Sequence, residues 1–510
     1  MQSGKMKYLV AMLAGLSAAT LAARASAAEP VAIPDTAAGA IGGALVQHIN
    51  ADAPARIRQW APTILSPVIA ETDQADFVTA IASAARDSGG IELVRADSDA
   101  RSGFLVLTLR ARHTGRQAML VLAADPDRPG RLAQAQLLAV DDPALYAGWP
   151  EGATSMGEIA GPHWPSSPVP NAEIVRLSRL TLDRLAETTG FSGCLTIFDG
   201  RQTILDECRG LADRNFGVAV DSRTRFHLAS IGKTFTAVAI AQLVESGRLS
   251  WDATLADLVP EYPDREAARH ITVWQLLHHT AALGDYLVPE FFRDRAHYVN
   301  PVDYLDLIAR QPRVGQPGEW NYSNAGFVLL GQIIENVSHE NYFDYIQRHV
   351  FAPAGMSDSG FDSIEDATPN LAVGYFRDGP FSATWKANWM SLPFKGSPAG
   401  GAYATNADML RFARALRDGR LVGPATLRAM FENEVPAGPG AYAAGFGDRV
   451  SHGRHIRGHA GGAPGMDTDL AIVWETGASV IINSNQGESS TAMLLAERIA
   501  DMLAADGATQ

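Results

Sequence analysis

The sequence predicts an α+β protein in two globular parts, and three features of its 510 residues point there. A helix-like stretch followed by four strand-like runs occupies residues 73 to 140. A proline-rich, aperiodic stretch follows at 141–171, and a longer region then alternates helices, a hairpin and closing strands. The chain is too long for one ordinary core, and a 46 % hydrophobic content supplies apolar material for two or three domains.

Lys5 and Lys7 precede the apolar run "YLVAMLAGLSAATLAA" and the small residues "ASA" at 25–27, the pattern of a cleavable secretory signal over residues 1–27. Cleavage is expected after Ala27, and no cysteine follows to carry a lipid. Loss of the segment removes Lys5, Lys7 and Arg24 and no acid, moving the formal charge from -14 to -17. Such a balance repels nucleic acid and anionic membrane surfaces. No other apolar run approaches the ~20 residues that span a bilayer. The expectation is an exported protein, periplasmic or secreted, with no nucleic-acid partner and no stable membrane anchor after cleavage.

In the N-terminal part, residues 30–140, Phe77, Ile81 and Ala84 recur at helical spacing over 73–88 and stop at Gly89-Gly90. "IELVRA", "FLVLTLRAR", "QAMLVLAA" and "RLAQAQLLAV" follow, separated by turn residues. One helix against an antiparallel meander is expected, an order that resembles cystatin-like or NTF2-like folds. After the linker at 141–171, the second domain, 172–505, opens with a helix at 173–187. Cys194 and Cys208 flank "LTIFDGRQTILDE", which alternates like two strands about an Asp199-Gly200 turn. The pattern leaves open a disulfide across the hairpin or two buried thiols. Two strands around 467–484 and a helix over 489–504 close the chain.

The chemistry gathers in three short motifs. Five of the 42 basic residues are lysine, and the remaining 37 are arginine. Lys233 is therefore notable in "LASIGKTF", three residues after Ser230 and at the head of an apolar helix. Positions i and i+3 share a helix face, so the amine approaches the hydroxyl beside the positive end of the helix dipole. Lysine, unlike arginine, can give up its proton when buried. In "PGEWNYSNAGFVLLG", a turn leads through Tyr322 and Asn324 into a second apolar helix; Tyr298-Val299-Asn300 repeats the spacing without that context. In "RGHAGGAPGMDTDLAIVW", His459-Ala460-Gly461 begins a glycine-rich strand edge before an alternating strand, whereas His113-Thr114-Gly115 reads as a hairpin turn. The glycine-rich segments 396–405 and 436–447 lack phosphate-binding spacing and are expected to form loops at the edge of the site. His278 and His279 have no acid or cysteine at ligand spacing, so structural roles are expected for both.

With S-x-x-K, Y-x-N and H-x-G in this order, residues 171 to 505 resemble the serine β-lactamase and penicillin-binding-protein superfamily, in the branch of class C β-lactamases and related esterases and peptidases. "TVWQLLHHTAAL" and "GGAYATNADMLRFARAL" fit the same order. The resemblance implies an antiparallel sheet flanked by helices with a helical subdomain, and no metal or cofactor. It implies that Ser230 forms an acyl-enzyme, that Lys233 and Tyr322 share the proton work, and that Asn324, His459 and Gly461 bind substrate. The backbone N–H groups of Ser230 and Gly462 would form the oxyanion hole. Which of Lys233 and Tyr322 is the base stays open. His459 stands where many relatives have a lysine, Ala460 where a threonine is common, and Ala281-Ala282 where Ser-Gly is usual. The first change weakens recognition of a substrate carboxylate, and the second loses a hydroxyl that would donate to the substrate. Ester or amide hydrolysis, D-amino-acid peptides and cell-wall fragments included, is therefore expected ahead of β-lactam hydrolysis or D,D-carboxypeptidase action. A non-catalytic binding protein of the same fold is the alternative.

Overall fold

The computed structural model describes residues 31–69, 71–98, 104–140, 164–165, 167–438, 440–487 and 491–505. The expected signal at 1–27 and nearly all of the expected linker lie outside them. The chain divides into two compact units, one holding Pro165–Tyr375 and Ala387–Gln510, the other, among the described residues, 31–164 and Phe376–Lys386.

In the smaller unit, strands Ile91–Ser98, Phe104–Ala111, Gln117–Ala124 and Leu132–Val140 pair antiparallel in sequence order. Leu105, Leu107 and Leu109 alternate onto the buried face and pack with Leu120, Leu122 and Ile81. Among the described residues this unit has three α-helices, not the single one expected: Ala37–Ala51, Pro54–Trp60 and Glu71–Asp87. Thr36 caps the first by accepting from Gly39 N at 2.9 Å. His113-Thr114-Gly115 is the turn between the second and third strands. A segment distant in sequence completes the core. Phe381 is fully buried there, while Thr114 Oγ1 donates to its carbonyl and Arg116 Nε to that of Pro380.

The larger unit is built on an eight-stranded antiparallel sheet, whose order runs Val435–Ala437, Gly440–Ala443, Phe446–Ser451, Arg454–Ala463, Met466–Val473, Ala478–Ser484, Gly193–Phe198, Thr203–Arg209. Every residue of Met466–Val473 is buried, so this strand does not alternate as its sequence suggested. Helices Thr491–Ala505 and Asn406–Arg417 both pack against Ala478–Ser484, which is likewise buried throughout. Buried along its whole length, the strand is covered on both faces even though it carries Ser479, Asn483 and Ser484. The glycine-rich segment 436–447 is mainly the edge hairpin of the sheet, not a loop.

The register of the Gly193–Phe198/Thr203–Arg209 hairpin sets Cys194 directly opposite Cys208, and the two form a disulfide. Its turn is fixed by Asp199 Oδ1, which accepts from the amides of Arg201 and Gln202, and by Gly200 at φ +95°. The helical part centres on Gly232–Glu245, buried on most faces, packed against Asn324–Ser338. Thr272 and Gln275 form a reciprocal cap that starts the short helix Val273–Leu277 beside them. Ala282 adopts φ +52°, a conformation that favours glycine.

Candidate active site

A strained turn precedes Ser230. Ala229 adopts φ +45°, which a Cβ disfavours, and the 3-10 turn Ala229–Ile231 then passes into helix Gly232–Glu245. Ser230 thus sits in the turn before the helix, where sequence spacing put it in the first helical turn. Ile231 N donates to Leu228 O at 3.2 Å and Gly401 N to Ala229 O at 3.3 Å, holding the turn from both sides. Two glycines permit this crowding. A Cβ on Gly400 would lie 2.5 Å from Ala229 O, and one on Gly461 would lie 2.1 Å from Leu228 O.

Lys233 is fully buried, and its Nζ lies 3.1 Å from Ser230 Oγ, 2.7 Å from Asn324 Oδ1 and 2.6 Å from Ala399 O. The amide and carbonyl oxygens only accept, so those two contacts use N–H bonds whatever the charge of the amine. The hydroxyl differs, because it accepts from an ammonium and donates to an amine. A proton can therefore pass between Ser230 and Lys233 while the other two bonds stay as they are.

Asn324 begins helix Asn324–Ser338, whose cap, Ser323 Oγ, accepts from Gly326 N at 3.3 Å. Its Nδ2 donates to Asp285 Oδ2 at 2.8 Å, and its backbone N reaches the same oxygen at 3.3 Å. A carboxylate oxygen can only accept here, so the amide is oriented with Oδ1 toward Lys233. Tyr322 turns the face of its ring to the amine, with Lys233 Nζ 4.8 Å from the centroid. His279 holds this segment: its Nδ1 accepts from Ser323 N at 3.1 Å, its carbonyl from Asn321 N at 2.8 Å, and its ring lies 4.4 Å from that of Tyr322.

His278, one residue earlier, is fully buried, stacks on Trp274 at 3.8 Å and donates from Nδ1 to Trp274 O. Burial lowers its pKa to about 4, so it stays neutral. Among the described residues, no group of three or more His, Cys, Asp or Glu side chains is placed to hold a metal ion.

His459, Ala460, Gly461 and Gly462 lie within strand Arg454–Ala463, not at its edge, paired with Leu470, Asp469, Thr468 and Asp467. The His459 ring is 6 % exposed. Its Nδ1 donates to Ala460 O at 2.6 Å, and in the neutral ring its Nε2 accepts from Tyr442 Oη at 2.9 Å. Burial holds the Tyr442 phenol well above its ordinary pKa, so it keeps the proton it donates. His459 is turned toward Tyr442 and stands 6.3 Å from the Tyr322 ring, centroid to centroid.

A cleft of about 490 Å³ opens beside Ser230, and Asn324 and Gly462 also line it. Lys233, Tyr322, His459 and Gly461 are not among its lining residues and stand behind or beside that wall. The 396–405 segment supplies Gly396, Ser397, Ala399, Gly400 and Gly401 to the rim, the position expected of it. Tyr298 is buried among Phe291 and Tyr304 and does not line the cleft. Sequence reasoning missed Asp285, the Ala399 carbonyl and the bracing role of His279. An acid soon after "HHTAAL" was the available signal for Asp285; a backbone carbonyl leaves none.

The beta-lactamase family profile matches residues 177–504. The chain is 31 % identical over 268 residues to the putative penicillin-binding protein PbpX of Bacillus subtilis, a match covering 52 % of this chain and 65 % of that protein. It is 30 % identical over 272 residues to esterase EstB of Burkholderia gladioli, covering 47 % and 68 %. The crystal structure of a penicillin-binding protein from Bacillus halodurans superposes with a TM-score of 0.56 at 30 % identity, over 62 % of this chain and 98 % of that one. From Ser230 and Lys233 through Tyr322 and Asn324 to the His459 strand, with the profile match over residues 177–504, the chain belongs to the beta-lactamase family of serine hydrolases.

Proposed function

We propose that this is an exported serine hydrolase that acylates Ser230 with an ester or amide substrate and passes the acyl group to water. The contact of 3.1 Å between Ser230 Oγ and the buried Lys233 amine carries this reading. As Oγ attacks the carbonyl carbon, its proton moves to Lys233 and the carbonyl π pair becomes an oxyanion. The N–H groups of Ser230 and Gly462, residues that share the cleft wall, would stabilise that charge. Collapse breaks the bond to the alcohol or amine, which leaves with a proton returned through Lys233 or Tyr322. Water then attacks the acyl carbon, releases the acid and restores the Ser230 hydroxyl.

The similarity to proteins named as an esterase and as penicillin-binding proteins supports ester or peptide bonds as targets, cell-wall fragments included. His459 turned to Tyr442, and Ala460 without a hydroxyl, favour these over β-lactams. We assign the smaller unit to the cystatin-like or NTF2-like class on its order of helices and meander. Intact-protein mass after incubation with a fluorophosphonate, and separately with a penicillin, tests the reading. A fluorophosphonate adduct lost in Ser230→Ala is expected; no adduct on the folded protein refutes a working nucleophile. Nitrocefin turnover as fast as that of any short-chain ester would reverse the substrate ranking.

A further inference from the structure

The wall of the cleft beside Ser230 is mostly hydrocarbon: Leu287, Phe291, Phe292, Ile364, Leu392 and Phe394 all face it. Its volume of about 490 Å³ falls within the range of roughly 300–1,000 Å³ typical of pockets for drug-sized ligands. An acetyl group would leave most of that space to water. At the mouth, Met390 is 80 % exposed and its neighbour Trp389 50 % exposed, so the apolar surface continues outward from the cleft. This lip is tied to the chain that follows the Phe291–Phe292 helix. Arg295, just beyond helix Pro289–Arg293 that carries Phe291 and Phe292, donates from Nη1 to Trp389 O at 2.7 Å and Leu392 O at 2.8 Å.

Charge in the wall points the same way. No lysine or arginine stands among the described residues that line the cleft. Its acid, Asp362, is 9 % exposed and pairs through Oδ1 with His227 Nε2 at 3.0 Å. A substrate carboxylate entering here would lose water, find no lysine or arginine in the wall and meet Asp362, already paired with His227.

Building on the acyl-enzyme reading above, we infer that the substrate carries a bulky, uncharged, apolar group beside its scissile bond, held by the Phe291–Phe292 and Leu392–Phe394 walls, with Met390 and Trp389 extending the contact at the mouth. Apolar surface leaving water supplies the affinity, and a wall without lysine or arginine supplies discrimination against anions. Arg295 is a positioning residue that keeps the two walls at fixed separation.

The test is kcat/KM for p-nitrophenyl acetate, hexanoate and octanoate and for the suberate monoester, which matches octanoate in length and ends in a carboxylate. A gain of about fourfold per methylene is expected while the chain stays in the cleft, the equivalent of about 0.8 kcal/mol for each buried CH₂. Suberate should fall at least ~10-fold below octanoate, and Met390→Arg, a change at an exposed side chain, should narrow that gap by ~5-fold or more. Equal rates on acetate and octanoate, or a preference for suberate, overturn the inference while Ser230-dependent turnover upholds the hydrolase reading. Loss of both turnover and the fluorophosphonate adduct, with the protein folded, overturns both.

Discussion

Replacing Lys233 by methionine isolates the proton transfer from the packing. The two side chains are similar in length, and the fully buried site has no room to spare for a larger group. The change removes the amine 3.1 Å from Ser230 Oγ and the bonds that orient it to Asn324 Oδ1 and Ala399 O. A positioned general base contributes about 10²–10⁴-fold, or roughly 2.7–5.5 kcal/mol of barrier. Acylation should slow by that factor. Two buried acceptors lose a donor, at about 1–3 kcal/mol each, offset in part because an amine no longer has to be kept out of water. The urea midpoint should therefore fall modestly and the protein should still fold. Stopped-flow release of p-nitrophenolate in a single turnover measures the acylation step free of product release. A folded variant that acylates within tenfold of wild type would refute Lys233 as the proton acceptor and move that role to Tyr322.

Asp285→Ala frees the Asn324 amide to rotate, so kcat should drop about tenfold with KM nearly unchanged; Asp285→Asn, which still offers an acceptor to Nδ2, should recover most of the loss. Replacing Cys194 and Cys208 together by serine opens a loop with a sequence separation of 14, and the larger unit should lose about 3 kcal/mol on the chain-entropy account, read as a lowered unfolding midpoint with unchanged kcat. His278 is depressed to about 4 in the folded protein, against an ordinary value near ~6.5. Between those values the unfolded chain binds the extra proton, so stability present at pH 7 is lost as pH falls through 6.5 toward 4, by about 3 kcal/mol in all. Urea midpoints at pH 7 and pH 4.5 should differ less in His278→Phe than in wild type; an equal difference would assign the acid sensitivity elsewhere.

Local chemistry was legible in the chain. The pairing of Ser230 with Lys233 needs only their closeness in sequence at a helix entrance, and the strand runs of the smaller unit needed only alternation and turn residues, so both could be read directly. The same holds for Tyr322 and Asn324 as a pair at a helix entrance, and for His113-Thr114-Gly115 as a turn. The two additional helices of the smaller unit were not singled out, although Thr36 caps the first and Pro54 opens the second.

What packing decided lies at longer range. Lys233 meets Asn324 across 91 residues and the Ala399 carbonyl across 166, and no periodicity encodes such meetings, because they depend on how helices and sheet close on one another. Cys194 and Cys208 bond because the hairpin register places them opposite, and a slip of one residue would have turned them to different faces. His459 reads as a substrate ligand from its motif, and its contact with Tyr442, a residue on the second strand of the sheet, is a tertiary fact that no local spacing shows. Phe381 likewise belongs to the core of the smaller unit although it lies deep in the sequence of the larger one. The residue types for the chemistry were written in the chain; which of them face the cleft, and the hydrocarbon wall they face across it, came only with the folded arrangement.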